Sequence, residues 1–429
     1  MHKGAVALAA CTIVVSCATS STDRSPDEPS PYLMVFAGDA DEADSDFLGV
    51  IDLRSDSPDF GKAIATMPTG MKASMPHHME YAMPPSGELL FMNAHHHEMS
   101  LLVDVSNPRA PRVAKTFMPP APLRYPHDYS RTPKGTRLVG FLRSEGPSPD
   151  RAETVMPGNH GGIAEYTAEG VLLRSASAAA AGITEPIRPY AFALLADIDR
   201  LVVTSAPMME ETWADVVQVY RYSDFTLLKT IRLPTGRLAD GREIAGSQRA
   251  GFGPRVLPDG SVFFNAYGCA FYRLSEIGSA NPRLDNVLTL ETPEPPPGPG
   301  EIRGSCGIPI VFGHHWLMPV GQLHAVIVLD ISDPASPREV SRLPTPATFN
   351  PHWLARDPRS NRLVLGAELG GEEGFYVLRF DAQAGRLSFD QAFRNEGQTG
   401  YLSLKNQRWP HGTSGAAWGH AALFMAPSP

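Results

Sequence analysis

The sequence predicts an all-β fold, a seven-bladed β-propeller closed into a single domain, and three observations carry that expectation. The 41 Pro and 38 Gly are spread along all 429 residues, which suits many short strands and tight turns. No long stretch beyond the N-terminus keeps a helical apolar period. A strand–turn–strand unit also repeats: Val103-Asp104-Val105-Ser106-Asn107-Pro108-Arg109-Ala110-Pro111 is echoed by Leu329-Asp330-Ile331-Ser332-Asp333-Pro334-Ala335-Ser336-Pro337. Looser copies place equivalent positions near 52, 165, 220, 272 and 380, at intervals of about 50 to 61 residues, a period typical of blade repeats.

Each copy reads as the outer hairpin of a blade. Upstream of it lies a second strand–turn–strand, whose turn is marked by Pro85-Ser86-Gly87, Pro133-Lys134-Gly135, Asp199-Arg200, Pro258-Asp259-Gly260, Arg359-Ser360-Asn361 or, in the last unit, Trp418-Gly419. A single blade cannot bury both faces of its sheet, so the array folds as one ring. The ring has no free edge if the two termini share or abut a blade. The hydrophobic content of 42% is ample for such a core.

Four Pro-His pairs stand out: Pro76-His77, Pro126-His127, Pro351-His352 and Pro410-His411, with His78 following the first. His77 and His78 lie ten and nine residues before Gly87, His127 eight before Gly135, His352 nine before Asn361 and His411 eight before Gly419. All five therefore sit at the start of an innermost strand, where residues from different blades meet at one mouth of the central channel. Neutral imidazole is the commonest metal ligand among side chains, and a set of imidazoles without thiolates or carboxylates suits copper, with zinc or another divalent metal as the alternative. Glu80 and Asp128 are placed to orient ring N–H groups. Tyr81, Arg188 and Tyr190, with the segment from Phe252 to Arg255, suit the substrate side of the same mouth. His95-His96-His97, His314-His315 and His160 fall after their inner strands or before an outer one, and read as loop or structural residues. Met67, Met71, Met75, Met79 and Met83 read as packing around the first pair.

The N-terminus reads as an export signal. His2-Lys3 precedes an apolar run from Gly4 to Val15, and residues 1–16 form the signal peptide. Cys17 is the lipobox cysteine, with Cys11 the alternative, and residues 17–30 make a flexible tether before a propeller spanning 31–429. The chain is expected to be periplasmic or anchored to the outer membrane of a bacterium, and monomeric. Cys269 and Cys306 remain as an even pair, most simply a disulfide in an exported protein, with a thiolate ligand or nucleophile as the competing reading. The net charge of −9 comes without a basic run, which excludes nucleic acid as a partner. No segment after the N-terminus is long and apolar enough to span a membrane. A phosphate-binding Gly loop, a Gly-x-Ser-x-Gly elbow and a His-Glu-x-x-His helix are all missing.

Over nearly all of the expected mature region the chain resembles the selenium-binding protein and methanethiol oxidase family. The resemblance is carried by His77-His78, by Val103-Asp104-Val105 with Arg109-Ala110-Pro111, and by Pro126-His127. It extends to the blade from Gly162 through Arg188-Pro189-Tyr190, to Leu329-Asp330-Ile331-Ser332-Asp333-Pro334 and to His411. It implies a seven-bladed propeller and a copper-dependent oxidase that converts methanethiol to formaldehyde, hydrogen sulfide and hydrogen peroxide. The copper would fall on His77, His78, His127 and His411. The family's cysteine motif after the His pair is replaced here by Met79-Glu80-Tyr81-Ala82-Met83, which removes the thiol tied to selenium binding. Three functions follow as expectations: a copper-dependent oxidase of a small, thiol-like substrate, a metal-dependent lyase or hydrolase, and a non-enzymatic metal-binding or interaction propeller.

Overall fold

Runs such as Val262-Phe263-Phe264 and Leu363-Val364-Leu365 are apolar at every position and wholly buried, the pattern of strands covered on both faces. Successive side chains of such a strand point to opposite faces. Phe264 therefore packs with Val202, Val217 and Val219 on one side, while Phe263 packs with Trp316 and Met318 on the other. The core is thus divided among the gaps between consecutive sheets, and no sheet is stable without its neighbours.

The computed structural model describes residues 1, 28–85, 87–144, 159–208, 212–293, 304–368, 373–405 and 407–425. They form seven antiparallel blades, each named here from the inner strand outward. Blade 1 combines the C-terminal strand Ala417–Met425 with Tyr32–Asp39, Phe47–Asp52 and Ala63–Pro68. Blade 2 runs Pro76–Met79, Leu89–Ala94, Met99–Asp104, Arg112–Phe117, and blade 3 runs Leu123–Arg131, Arg137–Ser144, Gly162–Tyr166, Leu172–Ser177. Blade 4 is Pro189–Leu195, Arg200–Ser205, Val216–Arg221, Thr226–Arg232, and blade 5 is Gly251–Val256, Val262–Ala266, Ala270–Ser275, Arg283–Thr289. Blade 6 contains Ile310–Phe312, His315–Val320, Ala325–Asp330 and Arg338–Pro344. Blade 7 contains Pro351–Arg356, Arg362–Ala367, Gly374–Asp381 and Arg386–Phe389. The sequence repeat is correct in phase: each of its seven copies is the third strand of a blade.

The ring closes where Tyr32 pairs with Met425 and Asp39 with Ala417, so the two ends of the described chain share blade 1. The outermost strands are the wet ones, as in Arg112–Phe117, whose side chains are mostly exposed. No helix among the described residues is long and apolar enough to cross a membrane. The expected signal peptide, Cys11 and Cys17 lie outside the described residues. The end of the expected tether is docked, since Ser30 is buried and both its N–H and its hydroxyl donate to Asp357, at 2.9 and 2.5 Å.

One feature of the inner strands positions the side chains of the channel. In six of the seven blades the register between the first and second strands slips near the leading end of the inner one. His77 and His78 bulge between the paired residues Pro76 and Met79, and His127 and Asp128 between Pro126 and Tyr129. Tyr190 and Ala191 do so between Pro189 and Phe192, Gly253 and Pro254 between Phe252 and Arg255, His352 between Pro351 and Trp353, and His420 and Ala421 between Gly419 and Ala422. A bulge re-aims side chains locally, and proline, which has no N–H to lose, is at home beside one. Gly307 completes the wall: its absent Cβ would lie 2.3 Å from the His352 carbonyl oxygen, the same oxygen that accepts a hydrogen bond from Ile308 N–H at 2.8 Å.

Cys269, after the second strand of blade 5, and Cys306, at the start of blade 6, form a disulfide with Cα atoms 5.3 Å apart across 37 positions of sequence. The thiolate alternative for this pair is thereby excluded. Replacing both with serine is expected to lower the unfolding free energy by about 2–4 kcal/mol, measured by urea denaturation. A variant as stable as the parent would show that the cross-link contributes nothing beyond the packing of blades 5 and 6.

Candidate metal centre

The inner-strand bulges turn the imidazoles of several blades toward the channel axis. His77 Nε2 lies 3.0 Å from His127 Nε2, and the rings of His78 and His127 are 4.1 Å apart between centroids. His77, His78 and His127 are all buried, and one ligand nitrogen from each lies within 4.8 Å of the other two. His77 and His127 close a circuit with four further rings, the six coming from six blades. It passes from His127 to Tyr190 (4.1 Å), Phe252 (4.2 Å, stacked), His352 (6.1 Å), His420 (4.9 Å), His77 (4.5 Å) and back to His127 (5.0 Å). Imidazoles occupy one arc of the channel, and Tyr190 with Phe252 the other.

The second ring nitrogens are held by backbone. His127 Nδ1 faces the Tyr190 carbonyl oxygen at 3.4 Å, and His420 Nδ1 faces that of Ala367 at 3.1 Å. These contacts orient the opposite nitrogens inward. His77 Nδ1, both nitrogens of His78 and His420 Nε2 are buried without a hydrogen-bond partner among the described residues. An unmet buried polar atom costs roughly 1–3 kcal/mol, so the arrangement carries a standing penalty that a shared cation would relieve. Burial first, and the neighbouring imidazoles second, hold His77, His78, His127 and His420 well below the usual histidine value. Burial alone brings His352 down to about 4. All five are therefore neutral at pH 7, the form that ligates. The set fits a metal that prefers imidazole nitrogen.

The structure revises several expectations. His411 is not at the channel: its Nδ1 meets Thr66 Oγ1 at 2.8 Å, its Nε2 meets Thr413 Oγ1 at 2.7 Å, and its ring packs on Phe47. Trp418-Gly419 is no hairpin turn but part of the inner strand of blade 1, and the channel residue of that strand is His420. His95 is not a loop histidine; it is buried, 5.8 Å from the His77 ring and 5.2 Å from Tyr125, while His96 and His97 are at the surface. His315 is buried against Phe380 and His314 is exposed. His160 Nδ1 accepts from Ile187 N–H at 3.1 Å.

The polar residues expected around the ligands do other work. Glu80 accepts from Arg137 Nε at 2.9 Å and Phe91 N–H at 3.1 Å and forms an ion pair with Arg131 at 2.8 Å, so it ties blade 2 to blade 3 and touches no imidazole. Asp128 accepts from Ser130 Oγ at 2.9 Å, and burial pushes its carboxyl up to about 6. Arg188 donates to the carbonyl oxygens of Leu142 and Asn159 at 3.0 and 2.6 Å, clamping the backbone of blade 3. Tyr190 does face the channel, as the circuit above requires. Tyr81 stacks on Trp353 with centroids 5.4 Å apart and turns its edge to His78 at 6.4 Å. Met67 and Met79 are core residues, and Met71 and Met83 pack against the same core.

No family model and no curated protein matches the chain. Among solved structures the fold is similar to that of a hypothetical selenium-binding protein from Sulfolobus tokodaii, with a TM-score of 0.68 at 12% identity over 92% of this chain and 93% of that one. It is also similar to a periplasmic gluconolactonase of Pseudomonas aeruginosa, with a TM-score of 0.56 at 15% identity over 84% and 95%. A putative 6-phosphogluconolactonase of Bacteroides fragilis gives 0.54 at 10% identity over 89% and 98%. At these identities the likeness is one of fold.

The buried imidazoles make stability depend on pH. Burial, with His96 adding to it, brings His95 down to about 3, whereas in the unfolded chain it titrates near 6.5. The unfolded state therefore binds a proton that the folded state refuses. The stabilisation is complete above pH 6.5 and is lost as pH falls toward 3. Between pH 7.5 and 5.5 this one group accounts for about 1.4 kcal/mol, so His95→Leu should lose that much less stability than the parent over the interval. Equal losses in paired urea titrations would show that His95 is not held neutral.

Proposed function

We propose that the chain is a copper-dependent oxidase of a small, thiol-like substrate, exported and anchored by a lipid on Cys17. The observation that carries the metal reading is the trio His77, His78 and His127, three buried neutral imidazoles with one nitrogen each within 4.8 Å of the others. No carboxylate or thiolate joins that group among the described residues, which favours copper or zinc over harder cations. Copper would supply one-electron chemistry and O₂ as the acceptor. His77, His78 and His127 would hold it, with His420 the next imidazole of the circuit. Tyr190 and Phe252, opposite the imidazoles, offer an apolar wall that suits a small molecule with little polar surface. The resemblance to selenium-binding proteins supports the oxidase over the lyase or hydrolase reading, and the missing cysteine motif keeps selenium chemistry out of it. An exported protein is also where a disulfide such as Cys269–Cys306 persists.

The test is metal content of the purified chain after copper loading and dialysis. The parent should retain about one equivalent. His78→Ala and His127→Ala should retain little, while His411→Ala, whose ring nitrogens are spent on Thr66 and Thr413, should match the parent. Copper retained by both channel variants would overturn the assignment of the site. Copper bound without thiol-dependent O₂ consumption would replace the oxidase with metal handling, and retention of zinc alone would favour a Lewis-acid enzyme.

A further inference from the structure

A second site lies at the opposite ends of the inner strands from the bulges. There a cavity of about 580 Å³ opens between blades 2, 3, 4 and 5, within the size range of small-molecule sites. Its walls are largely apolar, built from Met83, Leu138, Phe192, Leu194 and Val256. Arg255, on the inner strand of blade 5, reaches it partly exposed, with its guanidinium 5.0 Å from the centre of the Tyr81 ring.

Arg255 is unusual in its partners. Its Nη atoms donate to the carbonyl oxygens of Pro254 and Pro309 at 3.0 and 2.9 Å. Among the described residues it forms no ion pair, and Asp128 acts on it only across a longer gap. The other charged residues lining the cavity, Glu80 and Arg131, pair with each other at 2.8 Å, and Glu80 is held by Arg137 as well. A cation beside an apolar cavity and without a carboxylate in contact is incomplete until an anion arrives.

We propose that this cavity binds a small organic carboxylate, its head group on Arg255 and a short apolar body against Met83, Phe192 and Leu194. The proposal does not depend on the metal reading, so it is tested on the metal-free chain. Isothermal titration calorimetry with sodium hexanoate should show binding, with hexan-1-ol as the uncharged match binding more weakly. Arg255→Met should weaken hexanoate at least about tenfold, the scale of a charge-assisted hydrogen bond, and bring it level with hexan-1-ol. Because Arg255 also holds two backbone carbonyls, Ala82→Trp provides a second variant: Ala82 is exposed on the cavity rim, and a bulky ring there should reduce both ligands without disturbing the core. No measurable hexanoate binding, hexan-1-ol binding as tightly as hexanoate, or unchanged hexanoate affinity in Ala82→Trp would each overturn the proposal.

Discussion

The inner-strand bulge is the constraint on which this molecule depends. In a regular strand His77 and His78 would point to opposite faces of the sheet, one into each neighbouring gap. With two residues set against one, both can serve the channel, and the same device serves His127, Tyr190, His352 and His420. The backbone bears a cost for it. Met75 and Tyr125, each directly before the proline of a bulge, adopt the left-handed conformation with φ of 53° and 55°, a region side-chain-bearing residues seldom occupy. Such conformations persist where the surroundings over-determine them, and here both residues are buried.

Carboxylates are kept apart from the trio His77, His78 and His127 by the same architecture, although Glu368 comes within 4.0 Å of His352 Nδ1. The Glu80–Arg131–Arg137–Glu88 network sits between blades 2 and 3 toward the far end of the inner strands, where a buried ion pair needs several partners to offset its desolvation. Around the imidazoles the orienting groups are neutral backbone carbonyls, those of Tyr190 and Ala367. A carboxylate on either ring would raise its proton affinity. Carbonyls fix the direction of the rings while leaving them easy to keep neutral.

What could be read in the sequence follows from how each feature is encoded. The blades were legible because their third strands repeat a local pattern, and His77, His127 and His352 because proline marks the bulge beside each. His420 carries no such mark: glycine precedes it, and its hydrogen-bonded partner strand, Tyr32–Asp39, lies at the other end of the chain. Spacing back from Gly419 therefore points to His411, nine positions before the channel residue. A search for the strand that closes blade 1 would have found Ala417–Met425 and its one histidine. Glu80 was misread for a related reason, since its partner Arg137 is 57 residues away on the next blade. His95 needed knowledge of Tyr125, which covers it. Pairings between blades are invisible to local spacing.

The closure of blade 1 also has a meaning in time. Residues 77 to 127 belong to two adjacent blades and emerge early during translation, so the trio can assemble as soon as blades 2 and 3 pack. His420 arrives only with the strand that seals the ring, after the inner strands of the other six blades. A nascent or unfinished chain would therefore carry three channel imidazoles without their neighbour from blade 1, and the arc of imidazoles becomes whole at the same moment as the fold.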